Sequence, residues 1–167
     1  MTHLPSLPDL ARRFRRDDRG AALVEFAIGL PLMILIFAIV VEGGRMMWSY
    51  QAATAGVRDA ARYLGRVASS DSCETAASLA GYTAALEDIV RLNAQANTVF
   101  PSSITVDSVV PALKCVAGTY RVSPAPVAQV TATLTITFPF QGIFALAGGT
   151  LGTVQATVTD ESRIFGS

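Results

Sequence analysis

Histidine is almost missing from this chain of 167 residues: there is one, His3. Any catalytic triad, imidazole base or histidine-containing metal site would have to use it. Lysine is as scarce, with Lys114 alone, and acidic and basic side chains balance at 13 each, for a formal net charge of zero. Nothing is basic enough to make nucleic acid the main partner. Charged residues are only 16% of the chain and hydrophobic ones 51%. Ordinary soluble domains average about 25% charged, so the deficit points to a membrane segment. The absence is sharpest between Phe26 and Val41, where no side chain is charged.

Ala21 to Val24 extend that apolar stretch. At 1.5 Å per residue, Ala21 to Val41 covers roughly 31 Å, close to the thickness of a hydrocarbon core. Arg12, Arg13, Arg15, Arg16 and Arg19 precede it, and Glu42 and Arg45 follow. The positive-inside bias predicts a cytoplasmic N-terminus and an exported remainder from Gly43 onward. A secretory signal would be shorter, about 7–15 apolar residues, with a small-residue cleavage site close behind, and none follows here. An uncleaved anchor is the plainer alternative. Cys73 and Cys115 both fall on the exported side, where a disulfide is the default and two buried thiols the alternative.

Residues 1–20 are polar and proline-containing, which reads as disordered. One long helix is expected from about Ala21 to Leu64, half in the membrane, loosened by Pro31. Beyond the membrane its stripe is Met46, Tyr50, Ala53, Val57, Ala60 and Leu64, with Gly65 as the C-cap. Asp71 and Glu74 resemble a capping box. They open a second helix to about Asn93, built on Leu79, Tyr82, Leu86, Ile89 and Val90. The period then changes. Ile104, Val106 and Ser108 predict a short strand between Pro101 and Pro111. Val130, Ala132, Leu134, Ile136 and Phe138 alternate with threonines in the clearest strand. Val154, Ala156 and Val158 mark a last one, antiparallel to it. The expected fold class is α+β: a long helix packed on a small antiparallel sheet, with a second helix.

An ionisable residue inside a membrane run, Glu25, is costly and by default functional, unless it snorkels to the nearby interface. A cut between Gly20 and Ala21 would place a new α-amine four residues before Glu25, close to the same helical face. The helix dipole also favours a negative charge there. A basic leader ending in glycine, then an apolar helix with glutamate fifth, resembles the type IV prepilins and pseudopilins. Arg19-Gly20 followed by Ala21, Ala22, Leu23, Val24, Glu25 and Phe26 carries that likeness. "ALVEFA", "EGGR", "YQA" and "RDAARY" (Arg58 to Tyr63) resemble more specifically the TadE-like minor pseudopilins of the tight-adherence, or Flp pilus, system.

The resemblance implies a structural assembly subunit. A prepilin peptidase would cut after Gly20, and the helix would stay in the inner membrane until the periplasmic domain joins a pilus-like fibre. Glu25 would align subunits by pairing with an α-amine. The implied organisation is a leader over 1–20, a transmembrane helix over 21–42 and an exported domain over 43–167. The implied partners are the peptidase, other pilins or pseudopilins, the inner-membrane assembly platform and membrane lipid, with no cofactor. Ala21 replaces the phenylalanine common at the first mature position, and Phe26 stands where major Flp pilins usually have tyrosine. The length also exceeds that of a major Flp pilin and falls short of the larger TadG-like members.

Other constellations are weaker. Arg58, Asp59 and Arg62 suit a subunit-docking site, or equally a solvated helix face with an Asp59–Arg62 pair worth a few tenths of a kcal/mol. Gly148, Gly149 and Gly152 do not precede a helix as a phosphate loop requires. Met46, Met47 and Trp48 suit an interfacial belt. His3 lies in the leader, so the mature chain would carry no histidine. Glu87 and Asp88 are adjacent and point to different helix faces. No catalytic residues and no metal site are expected. The rival reading is an uncleaved single-pass anchor whose periplasmic domain acts as a binding or adaptor module.

Overall fold

The computed structural model describes residues 19–146, 148–150 and 152–166. The arginines and His3 of the leader lie outside the described residues, apart from the backbone of Arg19. Contacts divide the chain into two compact units, the first ending at Val41 and the second running from Glu42 onward.

Helix α1 covers Arg19–Val67 and contains Pro31. In the first unit it is the only described element. Leu23, Val24, Phe26, Ile28, Met33 and Phe37 on it are all exposed.

The second unit is an α+β domain. A short helix α2, Ser72–Thr75, a 3-10 turn, Ala80–Tyr82, and helix α3, Thr83–Arg91, lead into the sheet. Strands β1 (Ile104–Val116), β2 (Ala125–Ile136) and β3 (Val154–Arg163) form an antiparallel sheet in that order. Helix α4, Gln141–Leu146, sits between β2 and β3. Along β2 the alternation is regular: Ala128, Val130, Ala132, Leu134 and Ile136 are buried, and the threonines between them are half-buried. Those residues share one core with Ala53, Val57, Ala60, Ala61 and Leu64 of α1 and with Leu86 and Val90 of α3. Alanines on both helix and sheet let the two layers approach closely. Burying each larger aliphatic contributes about 1.5–3 kcal/mol.

Several details depart from the sequence expectation. Within the second unit the buried positions of α1 begin with Glu42 and Ser49, whereas Met46 and Tyr50 are exposed. At that level Phe140 reaches Glu42 and Ser103 reaches Arg45. Helix α1 also continues past Gly65 to Val67. Gly65 is not a cap; it is where the end of β3 crosses the helix. A Cβ there would lie 2.7 Å from the Arg163 carbonyl oxygen and 2.7 Å from Ser162 Oγ.

The second helix is broken into three pieces. Ala76 takes a left-handed conformation, φ 51°, and ends α2 after one turn. The Asp71 side chain makes no cap; its carbonyl instead accepts from the Glu74 and Thr75 amides. Strand β1 runs on through Pro111 to Val116. It is an edge strand, where a residue without an N–H is tolerated. A bulge skips Asp107, so Val106 pairs with Leu134 and Ser108 with Thr133. Ser108 therefore leaves the inward register, and Val109 takes the buried place.

Cys73 and Cys115 form a disulfide that ties α2 to the far end of β1. The closed loop, with a sequence separation of 42, stabilises by about 4 kcal/mol on the chain-entropy account. The C-terminal segment closes the domain from the other side. The Ile164 amide donates to Pro126 O, Phe165 to Gly65 O and Ser70 to Gly166 O, at 2.8–2.9 Å.

Candidate functional site

Apart from the two disulfide cysteines, the residues singled out in the sequence lie on α1 and fall into two groups. In the first unit, Gly20 and Ala21 lie in the first turns of α1 and are exposed. Glu25 is exposed one turn further on. It shares a shallow groove with Ala22, Phe26, Gly29, Leu30 and Met33. This arrangement leaves a carboxylate beside a strip narrowed by Ala22 and Gly29, on a helix face otherwise made of large apolar side chains. Such a face suits close helix–helix approach in a medium without water, where small residues let backbones meet. By length and composition the helix Gly20–Val67 can cross a membrane, and the window that qualifies it is almost wholly exposed.

In the second unit, the "RDAARY" stretch divides between core and surface. Ala60 and Ala61 are buried in the core, while Arg58, Asp59, Arg62 and Tyr63 face outward. Arg58 Nε donates to Asp160 Oδ2 of β3 at 3.2 Å. Arg62 lies 3.8 Å from Asp59, the pair expected from their i, i+3 spacing. The structure therefore brings Arg58 to a β3 carboxylate and keeps Asp59 and Arg62 together on the open face of the helix. The three do not converge on one point.

Two further residues, Glu42 and Arg45 of "EGGR", carry contacts that the sequence reading missed. Glu42 is 6% exposed and accepts a 2.8 Å hydrogen bond from the Phe140 amide. Arg45 Nη2 donates to Ser103 Oγ at 2.7 Å. One helical turn of α1 thus holds the loop before β1 and the loop after β2. A buried carboxylate needs donors, and a backbone amide at this distance supplies one. The partners stand 98 and 58 positions away. No local pattern could reveal them; the only signal was a glutamate set directly against an apolar run.

The face of the sheet away from the helices is polar and internally paired. Glu161 accepts from Lys114 Nζ at 3.2 Å and from Gln129 Nε2 at 2.8 Å. Asp107, extruded by the bulge, accepts from Thr135 Oγ1 at 2.6 Å. Beside it, Arg91 caps the Val106 carbonyl at 2.8 Å and pairs with Glu87. Glu87 is thereby committed to an ion pair and not to a carboxylate dyad with Asp88. Among the described residues no group of three or more His, Cys, Asp or Glu side chains could hold a metal ion.

No curated protein and no solved structure matches the chain significantly. A family model does match: that described as TadE-like protein, over residues 20–62. The segment that carries Gly20, Glu25, Glu42, Arg45 and Arg58 to Arg62 is TadE-like.

Proposed function

We propose that the chain is a minor pseudopilin, a structural and assembly subunit of a tight-adherence pilus. The observation that carries this reading is where the family match begins: at Gly20, the last residue of the basic leader and the first turn of α1. Prepilin peptidase cuts after Gly20 on the cytoplasmic side of the inner membrane and frees the α-amine of Ala21. Glu25, one turn on, accepts that amine from its own chain or a neighbour's. A carboxylate in a membrane segment is expensive unless paired, so the pairing favours laterally associated subunits. The groove around Glu25 and Gly29 supports such packing. The second unit, on the periplasmic side, joins or primes the fibre through its outward face, with Asp59 and Arg62 as the docking contribution of α1. The partners are the peptidase, sibling pilins or pseudopilins and the membrane assembly platform. A structural role, not a catalytic one, fits the family.

The test is the intact mass and N-terminal residue of the chain isolated from membranes of a cell with its native peptidase, beside Gly20→Arg. A chain beginning at Ala21, with the variant uncut, supports the reading. Residues 1–20 retained in both would leave an uncleaved membrane anchor carrying a periplasmic adaptor domain.

A further inference from the structure

We infer that the segment from Phe140 to Ala145, at the start of α4, is a second membrane contact, lying in the headgroup layer beside the point where α1 leaves the bilayer. The inference rests on the proposal that Ala21–Val41 spans a membrane. Three observations carry it.

The first is position. Glu42 is the first residue past the apolar run, and its buried carboxylate holds the Phe140 amide at 2.8 Å. Phe140 is therefore fixed within one glutamate side chain of the helix at its exit. The polar layer on each side of the hydrocarbon core is roughly 5–8 Å thick. A group held by one side chain at the first residue beyond the core lies in or next to that layer.

The second is composition. The chain carries no Asp, Glu, Lys, Arg or His from Val122 to Thr159, and within that run the stretch from Phe138 to Leu146 is the aromatic part, with Phe138, Phe140 and Phe144. Phe138 is buried in the domain core, but Phe140, Ile143 and Phe144 remain partly exposed and Gly142 and Ala145 are exposed. Exposed aromatic and aliphatic side chains on a short helix suit the headgroup layer, where such surface inserts.

The third is continuity. Met46, Met47 and Trp48 lie one to two turns beyond Glu42 on α1 and are exposed, Trp48 to 57%. Their level, about 6–9 Å past Glu42 at 1.5 Å per residue, suits an interfacial belt. The short helix extends that belt sideways from a single helix to a broader footing. Glu42 then acts as the tether that sets the height of the footing, committing its buried carboxylate to a backbone amide.

The test uses the full chain, disulfide intact, in phosphatidylcholine–phosphatidylglycerol vesicles with and without a headgroup nitroxide. Trp48 is the only native tryptophan, so the unaltered chain reports the span. A Trp48→Phe, Gly142→Trp chain reports the proposed footing; a Cβ at Gly142 meets nothing within 4 Å. A Trp48→Phe, Tyr120→Trp chain reports the opposite end of β1, a 13-residue strand about 40 Å long. The expected result is a blue-shifted, nitroxide-quenched indole at position 142, matching Trp48, and an unshifted, unquenched one at position 120. Quenching at 48 but not at 142 overturns the inference and leaves the anchor standing. Quenching at neither overturns the anchor reading, and the inference falls with it. Equal quenching at 142 and 120 means that the domain lies flat on the bilayer, which also overturns a local contact. Should Gly142→Trp fail to fold, the unaltered chain answers with a headgroup photoreactive phosphatidylcholine. Labelling of the 140–145 peptide supports the contact, and labelling confined to the peptide around Trp48 overturns it.

Discussion

Gly65→Ala should destabilise the second unit, although the position lies inside a helix where alanine is the better residue. At an unobstructed helical site the change would stabilise by up to about 1 kcal/mol. Here the new methyl would stand 2.7 Å from the Arg163 carbonyl oxygen and 2.7 Å from Ser162 Oγ. The hydroxyl can rotate away. The carbonyl belongs to the end of β3 and moves only with the strand. Opening that gap to an ordinary contact displaces the segment that places Phe165 N on Gly65 O and Ile164 N on Pro126 O. Overpacking of this kind costs typically 1–3 kcal/mol. Because the obstructing atom is backbone, the upper part of that range, about 2–3 kcal/mol, applies, and net of the propensity gain the loss is about 1–2 kcal/mol. With an unfolding entropy of about 2.1 cal/mol/K per residue, that lowers the melting temperature of a domain of this size by roughly 4–8 °C. The control is Gly44→Ala in the same helix, where a Cβ meets nothing within 4 Å; its melting temperature should hold or rise. Thermal unfolding of the full chain in detergent micelles, followed by near-ultraviolet circular dichroism, measures both. If Gly65→Ala melts with or above the parent, β3 does not cross the helix that closely, and the position does not require glycine.

Two other perturbations probe the remaining ties. Cys73→Ser should cost about 4 kcal/mol on the chain-entropy account, and a non-reducing gel of the parent should show a faster band that slows on reduction; equal urea midpoints for parent and variant would contradict it. The Arg58–Asp160 pair is more than half exposed on its arginine side, so a double-mutant cycle with Arg58→Ala and Asp160→Ala should return a coupling of at most about 1 kcal/mol; a coupling well above that would mean the pair is buried in the folded chain.

How far the sequence could be read depended on whether each element answers to its neighbours in the chain or to distant ones. Strand β2 was legible because one face is buried along its whole length, and Val130, Ala132, Leu134 and Ile136 mark that face at period two. Ala53, Val57, Ala60 and Leu64 marked the packing face of α1 for the same reason. Strand β1 was only half legible. The bulge at Asp107 shifts the period in mid-strand, so Ser108 looked inward and Val109 outward, and Pro111 looked like an end when it lies on a sheet edge that tolerates it. The helix expected over Ser72 to Asn93 has adequate spacing, yet the disulfide fixes its first turn against β1 and Ala76 turns left-handed behind it. A covalent tie to a residue on another strand overrides a local preference that is worth only tenths of a kcal/mol per residue. The spacing of Gly20, Ala21 and Glu25, which suggested the candidate site, could be read because it lies within two helical turns. The contacts of Glu42, Arg45 and Arg58 could not, because Phe140, Ser103 and Asp160 reach them only through the fold.

The nature of those long-range contacts suits a helix shared with a family and a sheet that lies outside the matched residues. The match ends at residue 62, before any strand begins. Within it, the core face of α1 is made of alanines, one valine and, just beyond, one leucine, a shallow surface on which many sheets could rest. The tethers ask equally little of the rest of the chain. Glu42 takes a backbone N–H, which every residue except proline offers, and Arg45 takes a serine hydroxyl, for which a backbone carbonyl could substitute. A helix that fastens its domain partly through a main-chain group constrains the loop sequence little at that tether, provided that a backbone N–H arrives within reach of the carboxylate.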